Sequence, residues 1–577
     1  MALRLCTSAT RLRLYPTLGR VTSINSSSFK GRRYASTTPS HATTPSHATT
    51  PSYPSPAQKK RLVVLGTGWG GYAFLKSLSY NTLVRFDVKV ISPTTCFSFT
   101  PLLAQASCAT LDFRSAIEPI HSNRNMEVHH AWCDAIDLSS GKIELTPASN
   151  PQFRPPNPLT PAVRQASGES ASKTKQQDPA KKRERATYTM PYDHLVICVG
   201  SYNATFGTRG VKENALFLKD VNDARAIRWR ILDCFELANA RLNLLTSSSS
   251  GCPNASPTPS EASEMRDLLS FIVVGGGPTG SEFAAELHDL IKQDLSRLYP
   301  RLGPYASIKL LDAGSTILSS FDSSLSEFAM RKFARDGIEV VLNAKISRVE
   351  RDAVYLHGGE RIAAGMVVWS TGITTSPLIE ALEGVGKEER SGKILTSPTL
   401  NILAHRQAVE KGAVGGSVLN HKPNCKPESQ AEKEELVPLP NVFALGDCSS
   451  ILDTPLPATA QVASQKGNYL ANLFNKHMVT SQPQPLASIN GFGGLKNGSS
   501  ATLAQANPFK FLDKGSMASI GSKQALLDTP VKKESGRLAW VLWRSAYTLM
   551  SMSWRNCFLV PANWASNLLF GRDVGRF

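Results

Sequence analysis

Ten cysteines are spread over 577 residues, and no two of them form a Cys-x-x-Cys pair. That excludes the usual zinc motifs and a local redox dithiol, so reduced thiols and no metal site are expected. No EF-hand loop is present, which excludes calcium control of that kind. The apolar C-terminus lacks the uncharged run of about 18 residues that a spanning helix requires. Arg544 and Arg555 interrupt it, and Pro561 is expected to break the segment that follows. Acidic residues are absent from the start of the chain, the first being Asp87. Much of the net charge of +18 therefore sits in the leader, which argues against a nucleic-acid-binding surface. The hydrophobic share of 41% is ordinary for a globular chain, and the length suits roughly two to four domains.

Residues 1–34 contain seven Lys/Arg and neither Asp nor Glu, the composition of a mitochondrial presequence. The junction Arg32-Arg33-Tyr34-Ala35 looks like a matrix-protease site. Residues 35–58 repeat the unit SHATTP and are too polar to fold, so they read as a disordered linker. Polar, Pro- or Lys-rich tracts at 147–187 and 405–435 read as insertions, that at 246–263 as a linker, and 480–504 as a loop.

Between these tracts the chain carries one pattern twice. RLVVLGTGWGGYAFLKSL begins at Arg61 and SFIVVGGGPTGSEFAAELHDL at Ser270. Each is an apolar β-branched run, a Gly-x-Gly-x-x-Gly turn and a helical pattern, which is what docks a dinucleotide pyrophosphate on a helix N-terminus. Gly66 and Gly275 allow the tight turn, Gly68 and Gly277 let the backbone approach phosphate, and Gly71 and Gly280 let helix pack on strand. The strand after the first motif ends at Ser92, an uncharged hydrogen-bonding group. The strand after the second ends at Asp312, whose carboxylate suits both ribose hydroxyls and repels a 2′-phosphate, favouring NADH over NADPH. Nearby Lys309 weakens that preference, and an aspartate there also fits a plain turn. NVFALGDCSS adds Gly446 and Asp447, the latter positioned for a flavin ribityl hydroxyl, and two more strands end in glycine at Gly200 and Gly372.

Together these features resemble the two-dinucleotide-binding flavoprotein oxidoreductases over roughly residues 59–476. FTPLLAQA (99–106), VVGGGPTGSEFAAEL (273–287), PLPATAQVASQKGNYLA (455–471) and FKFLDKGSMASIGSKQAL (509–526) resemble the type II NADH:ubiquinone oxidoreductases, the alternative NADH dehydrogenases of fungal mitochondria. The resemblance implies non-covalent FAD at the first motif and NADH at the second. It places the Ala-Gln-x-Ala-x-Gln run, here Ala460 to Gln465, beside flavin and quinone. Gln461, Ser464 and Gln465 are then the quinone-side residues. Ser464 stands where some relatives carry His and cannot supply a neutral-pH proton as imidazole can. Glu282 matches a family glutamate near the nicotinamide, and it also suits a first-turn acid favoured by the helix dipole.

The expected fold is α/β, with two interleaved Rossmann-like dinucleotide-binding domains and a C-terminal membrane-anchoring region. FAD-binding segments at 59–240 and 401–480 would flank a linker (241–265) and the NADH-binding domain (266–400), with the anchor at 481–577. In the anchor Trp540, Trp543, Tyr547, Met550 and Trp554 form one helical stripe, and Leu538, Leu542, Leu549 and Met552 the other. One stripe would face protein and one lipid, with Arg544 and Arg555 near the anionic headgroups. A buried terminal helix is the plainer alternative, and homodimerisation is a family analogy. The expected function is FAD-dependent, non-proton-pumping NADH oxidation with ubiquinone reduction at the mitochondrial inner membrane. The Ser/Thr/Pro-rich stretch behind the presequence, without an apolar stop segment, points to the matrix face. The rival readings are a sulfide:quinone or ferredoxin-type reductase, and a redox-sensing or apoptosis-related flavoprotein acting through partner binding.

Overall fold

The computed structural model describes residues 59–120, 125–148, 187–248, 258–410, 435–478, 506–550 and 553–575. The presequence, the linker at 35–58, the loop at 480–504 and most of the insertions at 147–187 and 405–435 lie outside the described residues.

The described residues build around two main sheets. The larger has ten strands with Lys60–Leu65 near its middle, between His194–Ile197 and Phe86–Ser92. Leu436–Ala444, His194–Ile197, Lys60–Leu65, Phe86–Ser92 and Met126–Asp137 run parallel in that spatial order. Leu62, Val63, Val64 and Leu65 are all buried, as an unbroken apolar run requires when both faces of a parallel sheet are covered. The second sheet is wholly parallel: Leu216–Phe217, Met366–Trp369, Ser270–Val274, Ser307–Leu311 and Ile338–Val341. The two crossing segments pair antiparallel, Tyr202–Asn203 with Ile373–Thr374.

Sheet membership shifts some of the expected boundaries. Leu216–Phe217 already belongs to the second sheet, and Ile394–Thr396 has returned to the first before residue 400. The polar linker shrinks as well: one helix runs Val221–Ser248, and another begins at Pro259. A capping box starts the latter. The Glu261 amide donates to Thr258 Oγ1, while the Thr258 amide donates to Glu261 Oε2 at 2.7 Å, satisfying two helix-start groups at once. Between Cys96 and Ser107 lie a strand, a 3-10 turn and the helix Leu103–Ser107.

The C-terminal region forms a three-stranded antiparallel sheet, Ser516–Ser519, Ala525–Asp528 and Lys533–Gly536, followed by helices Arg537–Met550 and Trp554–Phe570. Pro561 does not end the second helix. Proline removes one N–H, and the buried Val560 and Trp564 hold the helix on both sides of it. Among the described residues no helix is long and apolar enough to cross a membrane.

Candidate active site

Both glycine turns have the same geometry. Gly66 (φ 98°) and Gly275 (φ 105°) adopt a left-handed conformation that side chains resist. Their amides donate to Ile91 O and Leu311 O of the adjoining strands, each at 2.8 Å. A Cβ on Gly71 would overlap Gly66 O, and one on Gly280 would overlap Gly275 O, so both helices press against their turns. Gly68 and Gly277 are the N-caps of helices Trp69–Ser77 and Pro278–Leu290, and neither has a side-chain cap. Each helix thus presents N–H groups and its positive dipole end to an anion, in a space where a Cβ at the cap would meet nothing.

Around the first turn, Ser92 is buried, and its hydroxyl lies 2.8 Å from Thr67 Oγ1 within the glycine turn. Asp447 sits in the 3-10 turn Gly446–Cys448 and accepts from Ser201 Oγ at 3.0 Å. Gly446 (φ 82°) and Gly200 (φ 68°) make the bends on either side. Lys219, which the sequence reading missed, donates to the Ser201 carbonyl. A cleft of about 310 Å³ adjoins this group, lined among others by Ser201, Thr374, Arg390, Lys393 and Asp447. These residues fit a flavin nucleotide: an uncapped helix start offers N–H groups to a pyrophosphate, and Asp447, at the cleft, offers a carboxylate to a polyol. Among the described residues no cluster could hold a metal.

At the second turn Asp312 is pinned, accepting from Gly276 N and Gly314 N at 2.6 Å each. Lys309 pairs with Glu339 of the neighbouring strand, so its charge is balanced locally. Gly372 (φ 72°) lies under the ring of Phe206, which leaves no room for a Cβ.

Glu282 lies in the second turn of its helix, not the first, and is buried. Its Oε1 accepts from the Ser519 amide of the C-terminal sheet at 2.8 Å. Burial above all pushes its carboxyl up to about 8; the Ser519 N–H works against that rise and Glu286 adds to it. Glu286 accepts from Thr110 at 2.7 Å, and Asp289 from the Ser522 amide at 2.6 Å. One face of the helix is therefore acidic, and residues from elsewhere in the chain cover it. Arg572 is the neighbouring cation, bonded to Asp294 at 2.7 Å and Thr110 at 3.0 Å.

The helix Ala460–Leu473 is capped by Thr459, whose hydroxyl accepts from Val462 N. Gln461 and Gln465 are held by the 512–515 segment. Gln461 Oε1 accepts from Lys514 N at 2.8 Å and its amide donates to Gly515 O at 3.3 Å; Gln465 exchanges bonds with Leu512 at 3.0 and 2.8 Å. Ser464 Oγ is buried and has no hydrogen-bond partner among the described residues.

The C-terminal stripes are sorted differently from expectation. Trp543 is buried and Tyr547 packs against it, while Met550 and Trp554 of the same stripe are exposed. Arg544 does not face outward, being stacked between Trp540 and Trp564 at 4.1 and 4.2 Å. Burial pushes its guanidinium down to about 10, with Glu286 acting against that. Arg555 donates to the carbonyls of Arg114 and Ile117.

Residues 60–405 match the model of the pyridine nucleotide-disulphide oxidoreductase family, and residues 514–573 that of the NDH2 C-terminal domain. A probable NADH dehydrogenase of Dictyostelium discoideum is 34% identical, with 90% of this chain and 92% of the relative covered. An external alternative NAD(P)H-ubiquinone oxidoreductase B4 of Arabidopsis thaliana mitochondria is 33% identical, covering 90% and 89%. The chain belongs to the type II NADH dehydrogenase family. It is an oxidoreductase. A solved NDH2 from Plasmodium falciparum in complex with NADH has the same fold, with a TM-score of 0.67, 20% identity, and 90% and 100% of the two chains covered. Within the family framework, sequence reading missed Lys219, Glu286 and Arg572. Lys219 follows the apolar run ALFL; only the fold brings it to Ser201.

Proposed function

We propose that this chain is a mitochondrial, FAD-dependent NADH:ubiquinone reductase that does not pump protons. The observation that carries the reading is the pair of uncapped helix N-termini behind Gly66 and Gly275, in two sheets joined by paired crossing segments. Gly66, Gly68 and Gly71 would hold the flavin pyrophosphate and Asp447 the ribityl chain, with Gly200 and Gly446 shaping the bends and Ser92 bracing the turn. Gly275, Gly277 and Gly280 would hold NADH and Asp312 its ribose, with Gly372 shaping the bend after strand Met366–Trp369. Bound FAD supplies a two-electron acceptor between NADH and quinone, and the protein's part is alignment. Glu282, buried and protonated at neutral pH, is suited to hold a proton or orient the nicotinamide rather than to carry a charge. Gln461, Ser464 and Gln465 form the quinone end, with Ser464 offering the free hydroxyl and Gln461 an amide already braced by the 512–515 segment.

Leu538, Val541, Leu542, Leu549, Phe558 and Phe570 are exposed on the two terminal helices. We take this face as the one laid in the plane of an anionic inner membrane, on the matrix side, with a second copy of the chain as the other occupant to test for. The sulfide:quinone alternative has no support here. Cys198 and Cys448, beside the first turn and Asp447, are buried with thiols pushed up by desolvation, Cys448 to about 11.

The experiment is anaerobic mixing with NADH and then a short-chain quinone while flavin absorbance is followed. Bleaching by NADH and recovery with quinone are expected. Bleaching without recovery would sink the quinone assignment. Digestion by protease added to intact mitochondria would overturn the matrix side.

A further inference from the structure

Among the described residues two lysines are only 2% exposed, Lys332 and Lys466. Lys332 pairs with Asp336 one turn along its own helix. Lys466, on helix Ala460–Leu473, makes no hydrogen bond or ion pair among the described residues. Desolvating an ammonium is unfavourable, so a side chain this deeply buried keeps its charge best where an anion can be set against it.

The helix itself shows where that anion would come from. Gly467 packs so closely that a Cβ there would overlap Gly70 O, inside the first glycine motif. One turn back, Ala463 lies 3.7 Å from the Cβ position of Gly446, at the Asp447 turn. Lys466 stands between these contacts, at the junction of the two elements assigned to the flavin nucleotide. The charged and titratable groups it faces are Cys448, Lys393 and Asp447. Of these only Asp447 is a carboxylate, and its Oδ2 is already engaged by Ser201.

We propose that Lys466 is a positioning residue that sets a buried positive charge against an anionic part of the flavin nucleotide, either its pyrophosphate or its reduced ring. The proposal rests on the reading that FAD binds here. Desolvation, followed by the opposing pull of Cys448 and the push of Lys393, leaves the ammonium down at about 8 in the protein alone, still charged at neutral pH.

The test compares wild type with Lys466→Gln, Lys466→Met and Lys466→Arg. Apoprotein thermal unfolding, FAD titration by fluorescence quenching, and the bound-flavin midpoint potential are the readouts. Both neutral variants are expected to unfold no lower than wild type as apoproteins, because they remove an uncompensated charge. They should bind FAD about tenfold or more weaker, and Lys466→Arg should restore most of the affinity. Equal weakening toward oxidised and reduced FAD assigns the charge to the pyrophosphate. Greater weakening toward reduced FAD, seen as a lower midpoint potential, assigns it to the ring. Wild-type affinity and potential in both neutral variants would overturn the proposal. So would apoproteins that fail to fold without the lysine, since its work would then be independent of the nucleotide. If wild type itself bound no FAD, the underlying assignment would fail instead.

Discussion

Asp312 holds two backbone amides, from Gly276 and Gly314, and so stands rigidly at the end of its strand beside the second glycine turn. A pinned carboxylate discriminates against a 2′-phosphate better than a mobile one, because it cannot swing away from the repulsion. With Lys309 neutralised by Glu339, the carboxylate dominates the local charge. Asp312→Gln is expected to lower the NADH-over-NADPH ratio of kcat/KM by about tenfold or more, and steady-state kinetics with both nucleotides measures it. An unchanged ratio would remove that role from Asp312.

Glu282 carries a different consequence. Its carboxyl is raised from 4.5 to about 8 on folding, so the folded state binds more protons than the unfolded chain between those values. The protonated carboxyl costs the fold little at low pH. The penalty grows as pH rises from about 4.5 and is complete above about 8, at roughly 1.4 kcal/mol per unit as an upper bound. Denaturant unfolding of wild type should therefore weaken across that window, and Glu282→Gln should flatten the decline. A variant with the same pH slope as wild type would show that Glu282 is ionised in the fold.

At the scale of elements, strands and glycine turns were legible because their determinants are local. β-Branched runs at Leu62–Leu65 and Phe271–Val274 need only neighbours on both faces, and positive φ at Gly66 and Gly275 needs only a missing Cβ. The helix starting at Pro259 was also locally encoded, by Thr258 and Glu261, but the Ser/Pro-rich composition around it hid the capping box. Thr258→Ala should cost about 1 kcal/mol locally, read as faster amide exchange in residues 259–268. Pro561 misled in the opposite direction: a residue that normally stops helices is carried because Val560 and Trp564 are buried around it. Gln461 also shows a limit of local reading. Its run resembles the family's quinone-side signature, yet only the fold shows its amide braced by residues 514 and 515. Gln461→Ala should slow flavin reoxidation by quinone more than flavin reduction by NADH in stopped flow; equal loss in both would count against its assignment to the quinone end.

At the scale of the whole molecule, the C-terminal layer joins helix Pro278–Leu290 to the exposed apolar face. Ser519 and Ser522 hold Glu282 and Asp289 from one side, and Arg572 reaches Thr110 and Asp294 from the other. The outward side of the same layer presents Leu549 and Phe558. Replacing both with serine should reduce co-flotation with anionic vesicles severalfold while leaving NADH-dependent flavin bleaching intact. Retained flotation would place the membrane contact elsewhere, and a change from dimer to monomer in light scattering would assign the face to a second copy.

The sequence by itself determined the two glycine turns, their order along the chain, the acid at the end of the strand after the second turn, and the family signatures. All of these are encoded in contiguous residues whose spacing follows from backbone geometry. Only tertiary structure decided that Arg544 lies between two tryptophans, that Glu282 is a buried acid, and that Lys466 is buried between Gly70 and the Gly446 turn with no partner among the described residues. Desolvation and charge pairing depend on groups far apart in the chain, and no local pattern records which of them the fold will bring together.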